Sequence, residues 1–300
     1  MKIVFENRKI KFKIDYRFSF SVQRFQNLFY LCLYFYNMND LKISFIQSDL
    51  IWENPNQNIA DFDSRIATIT ENPDIIILPE MFNTAFSINP DYAESMTGNT
   101  ISWMKTKASK CNCVVAGSLL IKENGMLFNR LVWMQANGNC FTYDKRHLFR
   151  MSEEFKIINR GNKKTIVELN GWKINLNICY DLRFPVWTKN TFNDNEYEYD
   201  LLINVANWPA SRSLIWQTLL KARAIENQAY VVGINRIGKD GFGTSHSGDS
   251  MIIDPIGNVL LKAENDKEVI QTLTISKAEL IEFRAKFTVG LDWDKFEICY

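Results

Sequence analysis

Between Asp74 and Pro79 the chain reads Ile-Ile-Ile-Leu, and this run constrains the fold more than any other stretch. It offers no polar face to water, so it predicts a strand covered on both sides, inside a layered sheet structure. "CVVAGSLLI", residues 113–121, makes the same demand. Around these runs, "LKISFIQ", "WKINLNICYD", "YDLLINVANWP" and "AYVVGINRIG" read as further strands. "LFNRLVWMQANGNCFTYDK" reads as two strands about Asn137-Gly138, because both turn residues tolerate positive φ. "GDSMIIDPIGNVLLKAE" is a closing hairpin.

Helical periods fall between the strands. "NIADFDSRIATIT" puts Ile59, Phe62, Ile66 and Ile69 on one face, and "SLIWQTLLKARAIENQ" is helix-like. "SKAELIEFRAKF" opens with a capping box, Ser276 to Glu279. Strands in hairpins alternate with strands separated by helices, which predicts an α/β fold of mixed sheets covered by helices. No Pro/Gly/Ser-rich linker interrupts residues 38–300, so these form one domain.

Residues 1–37 differ from the rest. They carry seven Lys/Arg against two acids and end in "LFYLCLYFY". Nine apolar residues are too few to cross a bilayer, which needs about 20. No small-residue cleavage site follows, so the segment reads as a poorly ordered extension, or as upstream sequence before a start at Met38. A membrane partner is not expected.

Composition removes other classes. Lys+Arg at 35 against Asp+Glu at 34 leaves no basic block for a phosphate backbone, so nucleic acid is not an expected partner. Six scattered cysteines make no disulfide framework and suit a reducing, cytoplasmic setting. Cys111 and Cys113 lack a second ligand pair, since His147 and His246 are distant and unpaired, so no metal site is expected.

Several buried strands end in a polar residue: Glu80, Lys145, Cys179 and Asn207-Trp208. Ligands gather at the carboxyl ends of strands in α/β folds, so these ends are candidates for one pocket. In "WKINLNICYDLRFP", Trp172, Ile174, Leu176 and Ile178 share one face, and Cys179 falls on the other with Asn175 and Asn177. A tight turn and Pro185 as first helical residue then present the sulfur at an elbow near backbone N–H groups. A free thiol is only a few per cent thiolate at neutral pH. Lowering its pKa by about two units takes roughly 2.7 kcal/mol of preferential thiolate stabilisation, which Lys145 can supply. Alternatively Glu80 takes the proton, and a dyad with His147 or His246 also stands open. The same residues have blander readings: Cys179 as packing, Lys145 as a solvated charge, Glu153 and Glu154 as an exposed acidic pair.

In this order, "ILPEMF", "YDKRHLF" and "NICYDLRFP" resemble the carbon-nitrogen hydrolase (nitrilase) superfamily. The longer strings "LPEMFNTAF", "DKRHLFRMSEE", "CYDLRFPVW", "VANWPASR" and "ARAIENQAYVVGINRIG" look like its omega-amidase branch, over about residues 40–297. The resemblance implies a four-layer α-β-β-α sandwich, a homodimer or higher homo-oligomer, no metal and no cofactor. It implies a small-molecule substrate, the terminal amide of short 2-oxo acid amides such as 2-oxoglutaramate. N-carbamoyl hydrolase or aliphatic amidase activity is the alternative. Carried over, Cys179 is the nucleophile, Glu80 the general base and Lys145 the oxyanion's cation. Glu154, with Glu153 as alternative, is the auxiliary carboxylate. The Tyr180 N–H completes the oxyanion site, and His147 becomes a structural contact. For the substrate's carboxylate Arg183 and Arg212 are candidates by proximity, although Arg183 is expected to brace the elbow against Asp181. Phe86 and Trp208 are candidate pocket walls.

Overall fold

Ile75–Ile77 is a central strand, and its two faces enter different cores: Ile75 and Ile77 lie between two sheets, while Ile76 faces helices. The computed structural model describes residues 39–298 and two short strands, Lys2–Glu6 and Lys9–Lys13, which pair antiparallel and are a unit by themselves. The expectation for residues 1–37 otherwise lies outside the described residues.

In the larger unit the strands of the two large sheets are β1 Leu41–Gln47, β2 Ile75–Ile77, β3 Val114–Glu123, β4 Met126–Met134, β5 Cys140–Asp144 and β6 Ile166–Leu169. They continue as β7 Trp172–Ile178, β8 Leu201–Ala206, β9 Tyr230–Asn235, β10 Met251–Ile253, β11 Val259–Lys262 and β12 Val269–Ile275. Two six-stranded sheets result, ordered β12-β1-β2-β3-β4-β5 and β11-β10-β9-β8-β7-β6. Each has three parallel strands inside and antiparallel strands at its margins.

The sheets stack through Ile43, Phe45, Leu131 and Trp133 of the first and Ile174, Leu176, Ile203 and Val205 of the second. Helices α1 Pro55–Ile66 and α2 Asn99–Cys111 cover the outer face of the first sheet through Phe62, Ile66, Ile101 and Met104. The outer face of the second packs on α5 Ser213–Asn227, where a Cβ at Gly233 of β9 would collide with Leu220 and Trp216. Between these run two short helices, α3 Glu154–Ile157 and α4 Pro185–Thr188, and α6 Lys277–Lys286 closes the domain. This is the four-layer α-β-β-α sandwich that the resemblance implies.

Local chemistry explains several boundaries. α1 starts where the Asn54 side chain accepts the Gln57 N–H and Pro55 fills the first turn. Phe62 and Ile66 are buried as the period predicts, but Ile59 is half-buried and Ile69 follows the helix. At α6, Ser276 is the N-cap as expected, yet its side chain makes no capping hydrogen bond. Elements that escape the sequence reading include α2, α3, β6 and β12. β12 is half-buried along most of its length, so its apolar contrast is weak.

Candidate active site

The elbow at Cys179 is built as the alternation predicts. β7 ends at Ile178, Cys179 takes φ 45°, a 3-10 turn runs Cys179–Arg183, and Pro185 opens α4. A β-carbon residue in the left-handed region costs on the order of 1 kcal/mol, held here by the surrounding structure. Asp181 supplies that hold. Its carboxylate accepts from the Ile178 N–H at 3.1 Å, the Tyr143 hydroxyl at 2.7 Å and the His147 N–H at 2.9 Å, with His147 Nδ1 at 2.8 Å. The bracing role expected of Arg183 is thus filled by Tyr143 and His147. The His147 ring stacks on Phe184 at 3.7 Å, a structural contact as expected.

Four strand ends converge, two from each sheet. Glu80 follows β2, Lys145 follows β5, Cys179 follows β7 and Asn207 follows β8. Glu80, Lys145 and Glu154 are all fully buried, which removes the surface readings of Lys145 and Glu154. Glu153 is the exposed member of that pair and binds Lys156 at 2.7 Å. Lys145 Nζ donates to Glu80 Oε1 at 2.9 Å and to both Glu154 oxygens at 2.9 and 3.0 Å. Its three protons are thereby engaged, so holding an oxyanion requires it to exchange one carboxylate contact.

Glu80 has two differently dressed oxygens. Oε1 faces Lys145 and accepts from Asn129 Nδ2 at 2.8 Å, while Oε2 accepts from the Asn207 N–H at 2.7 Å. The Asn207 carbonyl lies 3.9 Å from Cys179 Sγ and accepts from it. Asn207 thus touches both Glu80, through its N–H, and the sulfur, through its carbonyl.

Charge states follow from burial. Desolvation pushes the Cys179 thiol well above its ordinary range; the charge of Glu80 adds to this and Lys145 opposes it. A thiol pushed up in this way needs a base, which favours the alternative in which Glu80 takes the proton over a thiolate poised by the turn and Lys145. Burial works against the Lys145 charge, but Glu154 and Glu80 outweigh it and hold its pKa above normal. Burial raises the Glu154 carboxyl, with Lys145 pulling it back.

Above the sulfur lies a cavity of about 580 Å³ that reaches Cys179 and Lys145 and is walled by Phe86, Tyr180 and Trp208. Arg183 and Arg212 also line it. Arg183 sits 4.9 Å over the Trp208 ring and Arg212 sits 5.3 Å over Phe149. Among the described residues neither guanidinium makes an ion pair. His246 lines the cavity too, and burial followed by the Arg236 charge pushes it down to about 4, so it is neutral near pH 7. Asn129 is a site residue outside the sequence reading, whereas Asn207 is one of the strand ends expected in the pocket, though without a role of its own. The signal for Asn129 was a polar side chain inside the apolar strand "LFNRLVWM".

Two stacked sheets whose strand ends bring a glutamate, a lysine and an elbow cysteine into one buried cluster define an α-β-β-α hydrolase fold with a cysteine centre. The chain belongs to the carbon-nitrogen hydrolase family, whose model matches residues 43–285. It is 43% identical over 261 residues to the omega-amidase YafV of Escherichia coli K12, covering 87% of this chain and 100% of that protein. It is 32% identical to a 2-oxoglutaramate amidase of Bacillus subtilis, covering 82% of this chain and 95% of that one. Among solved structures, XC1258 of Xanthomonas campestris, described as a CN-hydrolase superfamily protein with an arsenic adduct in its active site, superposes with a TM-score of 0.85 at 39% identity. That match covers 87% of this chain and 100% of the other. The protein is thus a hydrolase of carbon-nitrogen bonds other than peptide bonds.

Proposed function

We propose that the protein is an omega-amidase that hydrolyses the terminal amide of short 2-oxo acid amides, 2-oxoglutaramate among them, to the dicarboxylate and ammonia. The observation that carries this reading is a buried Glu80–Lys145–Glu154–Cys179 cluster beneath a cavity whose wall holds two arginines that make no ion pair among the described residues. A simple amide needs no cation opposite the sulfur, whereas an omega-amide carries a carboxylate at its far end. Names of the matched relatives support the same substrate class. They do not favour the N-carbamoyl or aliphatic amidase alternative.

The chemistry proceeds in two halves. Glu80 takes the thiol proton as Sγ bonds to the amide carbon, and the oxyanion is held by Lys145 and the Tyr180 N–H. Glu80 then protonates the nitrogen, the C–N bond breaks, and ammonia leaves a thioester. Water, giving its proton to Glu80 with Glu154 alongside, adds to the thioester. The C–S bond breaks and the thiol regains its proton. No histidine takes part.

Incubation with 2-oxoglutaramate tests the reading: ammonia in proportion to enzyme is expected, and no release above background across four- and five-carbon 2-oxo amides would refute it. Arg183→Ala and Arg212→Ala should each raise KM for such amides by about 10- to 100-fold, a lost charge-assisted contact, with a smaller change in kcat. An uncharged short amide should show no such penalty. The protein is further proposed to act in the cytoplasm as a homodimer. Among the described residues no helix is long and apolar enough to cross a membrane. α5 exposes the apolar side chains Leu214, Ile215 and Ile225, which a second copy would cover, and native mass measurement checks the assembly.

A further inference from the structure

Of the polar side chains in the cluster that the reaction scheme leaves unused, one contacts both glutamates. Asn129, in the middle of β4, is fully buried and stands between the two glutamates. Its Nδ2 donates to Glu80 Oε1 at 2.8 Å and to Glu154 Oε1 at 3.3 Å. Its backbone carbonyl accepts the Lys145 N–H at 2.9 Å, so the same residue sets the place of the lysine.

The orientation of this amide is determined by its other end. Ser118 Oγ accepts the Met81 N–H at 2.8 Å, and a backbone N–H can only donate. The hydroxyl proton is then free to go to Asn129 Oδ1, 2.8 Å away. A flipped amide would turn Oδ1 toward two carboxylates, acceptor against acceptor. The chain Met81 N–H to Ser118 to Asn129 therefore has one direction, and it ends in two N–H groups aimed at Glu80 and Glu154. It also starts from the residue next to Glu80, at a Met81 held at φ 43°.

We propose that Asn129 is a positioning residue for the base: its amide holds Glu80 by Oε1, while the Asn207 N–H holds Oε2, so the carboxylate is fixed from both ends. Resting on the assignment of Glu80 as general base, this gives the amide a duty that charge cannot fill. A second cation there would compete with Lys145 for both carboxylates, and an acid would add a third negative charge. A neutral donor steadies the anion without changing the balance of the site. The titratable groups around Glu80 are Lys145 beyond β5, Glu154 of α3 and Cys179 beyond β7. With the amide gone Lys145 keeps its contacts to both glutamates, and Glu80 loses one of the two donors that fix Oε1.

Asn129→Leu tests this, with Ser118→Ala as a milder variant that frees Oδ1 and lets the amide turn. The measurements are kcat and KM on 2-oxoglutaramate and the pH profile of kcat/KM. For Asn129→Leu, kcat should fall about 100-fold with KM within about threefold, and the acidic limb should move up by about one pH unit. Ser118→Ala should show the same pattern at about a tenth of the size. A packing role alone would lower the amount of folded enzyme and leave the limb in place. An unmoved limb in the folded variants, or a loss confined to KM, overturns the proposal. Should Asn129→Leu fail to fold, the limb of Ser118→Ala decides alone. Wild-type enzyme inactive on 2-oxoglutaramate would instead sink the substrate assignment, a separate outcome.

Discussion

Cys179→Ala is expected to lower ammonia release from 2-oxoglutaramate by at least about 10⁴-fold, because every covalent step passes through Sγ. The variant should fold normally. Cys179 Sγ makes one weak contact, 3.9 Å from the Asn207 carbonyl, and the elbow is held by Asp181 and not by the sulfur. Its thermal midpoint should therefore stay within a few degrees of wild type, a change of about 1 kcal/mol or less. Cys179→Ser separates nucleophile from shape, since a hydroxyl is far harder to ionise than a thiol and the site already disfavours ionised sulfur. It too should lose at least about 10³-fold. Mass spectrometry of acid-quenched turnover should show an acyl adduct on wild type and none on Cys179→Ala. More than about one per cent residual activity in the alanine variant would transfer the nucleophile's role elsewhere.

How much of this was legible in the chain depends on which physical signal each residue carries. Ile75–Ile77 announced a strand covered on both faces because hydrophobicity without alternation leaves no other place for it. Cys179 announced an elbow because it broke the alternating stripe and preceded a helix-starting proline. Asn124-Gly125 and Asn170-Gly171, both at positive φ, turn hairpins that the reading did not use, although the dipeptide is the same as at Asn137-Gly138.

Burial of charge was not legible. Lys145 between Asp144 and Arg146 looks like a surface residue, and its environment comes from the end of β2, 65 residues away, and from α3, nine residues on across an intervening loop. The partner of Asp181 was mistaken for the same reason. Arg183 is two residues away in sequence, while Tyr143 and His147 arrive from the other sheet. Local spacing identifies the residues that end strands, but pairing among them is set by how two sheets stack.

That stacking makes Lys145 the residue whose loss should cost most in stability. Its ammonium is the only counter-charge in the hydrogen-bonded group of Glu80, Glu154 and Asn129. Lys145→Met keeps the length of the side chain and removes the charge, leaving two carboxylates in a dry site with one neutral amide between them. Breaking a buried pair in this way costs about 3–5 kcal/mol. Chemical denaturation should report that loss, and the variant should be inactive because the oxyanion also loses its cation. The control is the double variant Lys145→Met/Glu154→Gln, which removes one of the two negative charges together with the positive one. It should regain at least about half of the lost stability, since the surviving carboxylate keeps donors from Asn129 and the Asn207 N–H. It should regain no activity. If Lys145→Met alone is as stable as wild type, the cluster is not held by charge, and the part given to Lys145 as its counter-charge fails with it.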